Sequence, residues 1–263
     1  MTFLGLFLDI DGTLVSFRTH RVPASAVEAL RLARKRGVRV FICTGRPLQF
    51  INNIGEVEHD GLICATGALC LDAEGRTLHS QAIDRGDIGR LLQHLDAARG
   101  ETMPVLAVGR ERIYGAGRDS AQVAQVMQYL NVSLPPIHPI SEAVGDDILQ
   151  LIAFYGAEQD EVILGQVLTH CIAQRWHPAF ADLVDRRTSK ATGIDRICES
   201  LGIPLSRTLS VGDGGNDILM LRHTAVGVAM GGASEAVKAA ADYVTGDVDE
   251  DGLANALRHF GVI

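Results

Sequence analysis

No stretch of this sequence is apolar enough to cross a bilayer. The longest segment free of Asp, Glu, Lys and Arg, Ser120 to Ser141, carries Gln, Asn, Ser and three prolines. Basic residues are outnumbered, 24 against 32 acidic, and the resulting charge of −8 speaks against nucleic acid or an anionic membrane surface as a partner. Cysteines are few, odd in number and scattered (Cys43, Cys64, Cys70, Cys171, Cys198), with no Cys-x-x-Cys spacing. That excludes a disulfide framework and a structural zinc site, and points to reduced, buried thiols in a cytoplasmic protein. No basic lead precedes the first apolar run, and Asp9 and Asp11 interrupt it, so no secretory leader is expected. Internal repeats and low-complexity linkers are lacking too. What is present is apolar: 47% hydrophobic residues against 21% charged, enough for a packed core and too much for disorder. A length of 263 residues suits one large domain or two small ones.

The two ends of the chain share one rhythm. Phe3–Leu8, Val38–Cys43 and Leu62–Ala65 are short apolar runs, and Pro23–Arg36 reads as a helix stopped by Gly37. Leu69–Ile83 reads as a hairpin turning at Asp72–Gly75. After Lys190, the helix marked by Ile194, Ile197, Cys198 and Leu201 precedes strands at Thr208–Val211, Ala225–Met230 and Tyr243–Thr245. Helices are expected at Asn216–Arg222, from Ser234, and at Leu253–Phe260. This alternation predicts a doubly wound, Rossmann-like α/β core. Between them, helices around Ile88–Leu95, Val123–Leu130 and Gln159–His170 alternate with strands at Val105–Val108, Arg112–Ala116, Ile148–Tyr155 and Cys171–Trp176. The reading is a core of residues 1–83 and 184–263 with an inserted α+β domain of residues 84–183.

Four motifs sit at expected strand ends, where open α/β sheets bind ligands. Asp9-Ile-Asp11-Gly12-Thr13 puts two carboxylates in one tight turn; a strand-ending turn with a capping Asp is the plainer alternative. Gly212-Asp213-Gly-Gly-Asn216-Asp217 couples strand-end carboxylates to glycines and a helix N-terminus that favours an anion, or is a glycine-rich turn with an N-cap. Oxygen ligands from several loops suit Mg²⁺, with waters and a substrate phosphate. Thr44-Gly45-Arg46 offers a hydroxyl and backbone N–H groups, or is a simple turn. Lys190 opens a helix, where the dipole does not select a cation. It is either solvated or held by acidic partners and phosphate.

In this order the four pieces resemble the haloacid dehalogenase-like phosphohydrolases, and most closely the Cof-type sugar phosphatases, whose cap lies between the second and third motifs. Gly227–Gly231, Ala240–Thr245 and Glu250-Asp-Gly252 carry the likeness to the C-terminus. Two departures are Thr66-Gly-Ala68, where relatives often have Asn-Gly-Ala, and Lys190-Ala191, where Lys-Gly is usual.

The resemblance implies a Mg²⁺-dependent phosphatase of small phosphorylated metabolites, acting as a monomer or homodimer. Asp9 would be the nucleophile that becomes aspartyl-phosphate. Asp11 would be general acid and base and give its main-chain carbonyl to the metal, which Asp9 and Asp213 complete. Thr44, Gly45, Asn216 and Lys190 would bind phosphoryl oxygens, and Asp217 would hold Lys190 or the metal's waters. The insertion would set specificity, with Arg175, Trp176 and His177 as candidates beside Arg46, or else as the edge of its core. A phosphoryl transferase or mutase, and a receiver-like phosphoacceptor, are the alternatives; the acid/base Asp11 and the large insertion speak against the receiver.

Overall fold

A computed structural model describes residues 2–98, 103–117, 120–129, 131–177 and 180–263. The chain opens with β1 (Gly5–Leu8), α1 (Ala24–Lys35), β2 (Arg39–Cys43), β3 (Gly61–Cys64) and the hairpin strands β4 (Leu69–Asp72) and β5 (Thr77–Ser80). The middle contributes α2 (Arg85–Ala97), β6 (Val105–Val108), β7 (Ile113–Ala116), α3 (Ala121–Tyr129), β8 (Ile137–Pro139), β9 (Gln150–Ala153), α4 (Asp160–Val162), β10 (Cys171–His177) and β11 (Phe180–Asp185). The chain closes with α5 (Lys190–Leu201), β12 (Thr208–Gly212), α6 (Ile218–His223), β13 (Val226–Ala229), α7 (Glu235–Lys238), β14 (Tyr243–Val244) and α8 (Gly252–His259).

Contacts divide the chain into two compact units. One comprises Met1–Gly45, Ile51–His79 and Ser189–Ile263; the other comprises Arg46–Phe50 and Ser80–Thr188. The expected insertion of residues 84–183 lies inside the second unit, which starts earlier, ends later and takes in Arg46–Phe50.

The first unit is built on an eight-stranded sheet in the order β14-β13-β12-β1-β2-β3-β4-β5. The pairs from β14 to β3 are parallel, and β3 with β4 is antiparallel. Both faces of its central strands are buried, which is why those strands read as unbroken apolar runs. Leu6, Leu8, Val40, Ile42, Leu209 and Val211 pack on one side with residues of α1 and α8. Phe7, Phe41 and Cys43 face the opposite core with Ile194, Ile197 and Met220. Phe7 and Phe41 stack across neighbouring strands with ring centroids 5.0 Å apart. The chain runs outward from β1 in both directions, through β2 and β3 on one side and β12 and β13 on the other. The carboxyl ends of β1 and β12 therefore flank the crevice where such sheets take ligands.

The second unit holds a six-stranded sheet, order β10-β11-β9-β6-β7-β8, packed on α2 and, on its other face, on α3. The helix expected over Gln159–His170 is replaced by a 3₁₀ turn at Ala157–Gln159, the single turn α4, and a π turn at Ile163–Val167. The Leu168 N–H reaches the Ile163 carbonyl at 2.7 Å, and this wider turn directs Ile163, Val167 and Leu168 into one core. The helix expected from Asn216 starts as a 3₁₀ turn, Gly215–Asp217, before α6. All five cysteines are free and buried. Among the described residues, no helix is long and apolar enough to cross a membrane.

Candidate active site

The loop after β1 is wound around one carbonyl. The Ile10 oxygen accepts the N–H groups of Thr13, Leu14 and Val15 at 3.3, 2.9 and 2.7 Å. Asp9 stays on the ladder, its N–H donating to the Val211 carbonyl at 3.0 Å, so its carboxylate leaves the sheet beside the end of β12. Gly12 has φ +78°, and a Cβ there would stand 2.2 Å from the Asp213 Oδ2. Only glycine lets the two acidic loops approach this closely. The Thr13 hydroxyl completes the join, donating to Asp213 Oδ1 at 2.9 Å.

The loop after β12 is organised by Asp217. Its Oδ2 accepts the N–H groups of Asp213 and Gly214 at 3.0 and 2.9 Å, and its Oδ1 accepts from Lys190 Nζ at 2.5 Å. A Cβ on Gly212 would collide with the Asp217 carboxyl at 2.5 Å. Asn216 is half-buried in the same loop.

Lys190 is wholly buried and bridges two carboxylates, Asp217 at 2.5 Å and Asp9 at 2.6 Å. Its helix does not depend on it for a cap: Ser189 accepts the Thr192 N–H, and the Thr192 hydroxyl accepts the Ser189 N–H. The lysine is therefore placed by tertiary contacts, against the preference of the dipole.

Carboxylate oxygens of Asp9, Asp213 and Asp217 lie within 4.8 Å of one another. Burial, then the Asp217 charge and further the Asp11 charge, push the Asp9 carboxyl up to about 7 even though Lys190 pulls the other way. Burial together with Asp9 and Asp217 raises Asp213 to about 8 against the opposing Thr13 hydrogen bond. Burial alone would lower the Lys190 ammonium, but Asp217 and Asp9 outweigh it and hold the group above its ordinary value. Three carboxylates thus gather where only one buried ammonium, shared by Asp9 and Asp217, is at hand, and the surplus negative charge is what a divalent cation would neutralise. The donors are oxygens only, which fits Mg²⁺. Asp217 already has both oxygens engaged by Lys190 and its own loop, whereas the Asp213 carboxylate is steadied by the neutral Thr13 hydroxyl.

A second acidic group, Asp84, Asp87 and His170, lies within the inserted unit. There Arg90 already pairs with Asp87, whose carboxylate also meets the His170 ring and N–H at 2.9 and 2.8 Å, so both of its oxygens are engaged within the protein.

The expected site residues divide in two. Asp9, Asp213, Asp217 and Lys190 converge in the first unit. Asp11 lies two residues from Asp9 in the same loop. Thr44, buried at the end of β2, is tied to β3 through its N–H, donating to Ile63 O at 2.8 Å, with Gly45 following it. Arg46 and Arg175 belong to the second unit. Arg46 is buried, with Nη1 donating to the Phe50 carbonyl at 2.9 Å. Arg175 donates to the Tyr155 carbonyl at 3.0 Å and Asp160 at 2.7 Å, and lies 4.5 Å over the Tyr155 ring. The side chains of Trp176 and His177 lie outside the described residues. From the sequence, Thr13 has a place in the first motif but no role of its own, and Ser189 is not singled out. Thr13 had a signal in its place two residues after Asp11, and Ser189 in its capping spacing to Thr192.

A family model of haloacid dehalogenase-like hydrolases matches residues 6–257. Phosphatase YwpJ of Bacillus subtilis (strain 168) is 31% identical, over 96% of this chain and 98% of its own. Among solved structures, the haloacid dehalogenase subclass IIB sugar phosphatase BT4131 superposes with a TM-score of 0.90 at 41% identity, covering 99% of this chain and 100% of that one. The phosphatase BT1666 from Bacteroides thetaiotaomicron gives 0.88 at 36% identity, covering 100% and 96%.

Proposed function

The chain belongs to the haloacid dehalogenase-like hydrolases and is a phosphatase, and from that premise we propose that it hydrolyses small sugar phosphates with Mg²⁺, through an aspartyl-phosphate on Asp9. The observation that carries the reading is the cluster of Asp9, Asp213 and Asp217, two of whose carboxylates, Asp9 and Asp217, share one buried ammonium. Asp9 and Asp213, with the main-chain carbonyl of Asp11, are assigned to the metal. Bound there, Mg²⁺ supplies the positive charge that keeps Asp9 ionised and offsets its repulsion from a phosphate dianion.

Asp9 attacks phosphorus, forming the acyl-phosphate bond as the bond to the leaving alcohol breaks. Asp11 gives its proton to the departing oxygen, then takes one from the water that attacks the acyl-phosphate. Lys190, Thr44, the Gly45 N–H and Asn216 hold the transferring oxygens, where charge stabilisation does most of the catalysis. Asp217 aims Lys190 and braces the Asp213 loop. The inserted domain is assigned the choice of leaving group, since the phosphoryl group is common to every substrate. The sugar class rests on the likeness to BT4131, which is itself described as a sugar phosphatase. Free, buried cysteines support a cytoplasmic setting.

The test is phosphate release from a panel of phosphomonoesters with and without chelation. Turnover of sugar phosphates that stops on chelation and returns with Mg²⁺ is expected. Full turnover after exhaustive chelation would overturn the metal assignment, and formation of phosphosugar isomers without free phosphate would make the protein a mutase.

A further inference from the structure

Three consecutive residues after β3 hold positive φ: Ala65 at 48°, Thr66 at 58° and Gly67 at 104°. A β-branched residue is rarely found in this region. Thr66 is also completely buried, and its hydroxyl has no hydrogen-bond partner. Two local costs thus fall on one residue of the sheet edge that carries the site. Unfavourable backbone persists where the surroundings over-determine it, and such places gather at functional sites.

The surroundings explain what the turn holds. The Thr66 N–H donates to the Thr44 carbonyl at 3.0 Å, while the Thr44 N–H donates to Ile63 at 2.8 Å, so both backbone groups of Thr44 are fixed by one short segment. On its other side the turn touches the start of α5. A Cβ on Gly67 would stand 2.1 Å from the Ser189 carbonyl, and one on Gly193 would stand 2.6 Å from the Ile63 Cγ2. Ser189 immediately precedes Lys190. One turn therefore abuts both the strand end that carries Thr44 and the helix end that carries Lys190.

The peptide joining Thr44 to Gly45 is planar, and in a trans peptide its C=O and N–H point in opposite directions. Holding the Thr44 carbonyl on Thr66 turns the Gly45 N–H away from the turn. We propose that Thr66 is a positioning residue: the Ala65–Gly67 turn aims the Gly45 N–H at the phosphoryl group and sets its spacing from Lys190. This rests on the proposed phosphoryl site. The unpaired hydroxyl and the left-handed backbone are local costs of a stiff turn at this place.

The experiment compares Thr66→Gly, which frees the turn, with Thr66→Asn, which tolerates positive φ and keeps it. In each, kcat, KM and inhibition by inorganic phosphate are measured beside the melting temperature. Thr66→Gly is expected to lower kcat about tenfold and to weaken phosphate inhibition, with no loss of melting temperature, because a misaimed donor costs transition-state stabilisation. Thr66→Asn should stay within about threefold of the parent. Parental kcat in Thr66→Gly, or equal losses in both variants that follow a lowered melting temperature, would overturn the proposal. Thr44→Val separates the two levels. If it leaves phosphate inhibition untouched, the phosphoryl site itself is misassigned; if it weakens inhibition while Thr66→Gly is silent, only the positioning role falls.

Discussion

Replacing Lys190 with methionine removes one positive charge and leaves two buried carboxylates facing each other. Lys190 is fully enclosed, with Asp217 at 2.5 Å and Asp9 at 2.6 Å, so no water replaces it without rearrangement. Carboxylate oxygens up to 4.8 Å apart repel by about 3–4 kcal/mol at an effective dielectric of about 20. That agrees with the roughly 3–5 kcal/mol lost when one partner of a buried ion pair is deleted. At about 2–4 °C per kcal/mol, Lys190→Met should melt roughly 6–20 °C lower at pH 8 in cation-free buffer. Without the ammonium Asp9, already raised by burial, binds its proton more readily still, so the deficit should shrink as the pH falls toward 5. The assay is thermal unfolding at both pH values, with Lys190→Met/Asp217→Asn as a partner variant that recovers part of the loss. A single variant melting within about 2 °C of the parent at pH 8 would refute the reasoning. So would a deficit that grows on acidification.

Other outcomes follow from the same cluster. Asp9 and Asp213 titrate near 7 and 8 in the fold instead of 3.8, so between about pH 4 and 8 the folded state binds more protons than the unfolded one. Cation-free stability should then fall as pH rises through that window, and Mg²⁺ should restore it at the upper end, read as a melting shift. Asp213→Asn should raise the cation-free melting temperature at pH 8 and abolish that Mg²⁺ shift, because it deletes a carboxylate whose ionisation the fold opposes. Gly12→Ala should cost about 1–3 kcal/mol in denaturant titrations from its φ of +78°, and should lower activity by displacing Asp213. Asp11→Asn should be slow on alkyl phosphates and much less impaired on aryl phosphates, whose leaving oxygens need no proton; equal losses on both would remove Asp11 from the acid role.

Much of the fold was legible because the first unit obeys simple rules. Strands buried on both faces appear as unbroken apolar runs, and Gly37, at positive φ, ends α1 where a stop is read from the sequence. The second unit was harder. Ile163, Val167 and Leu168 look helical in spacing, yet they meet the core through a π turn that periodicity cannot distinguish. β8 ends in Pro139 and is three residues long, so its segment reads as loop. β11 carries Asp182 and Asp185 within a wholly buried strand, which hides its apolar pattern. At the site, the acidic motifs were visible as strand-end clusters. The Thr13–Asp213 bond spans 200 residues, and the burial of Lys190 depends on two loops from opposite ends of the chain; neither is encoded locally.

The central claim is that Asp9 becomes covalently phosphorylated, and trapping that bond tests it most directly. Enzyme turning over a phosphomonoester with Mg²⁺ is quenched in acid and reduced with borohydride, which converts an acyl-phosphate to an alcohol, and the modified residue is located by peptide mass spectrometry. The account predicts conversion of Asp9 to homoserine, dependent on substrate and absent in Asp9→Asn. Reduction at Asp11 or Asp213 instead, or unmodified Asp9 under conditions where turnover is rapid and the quench is shown to preserve acyl-phosphates, would contradict it.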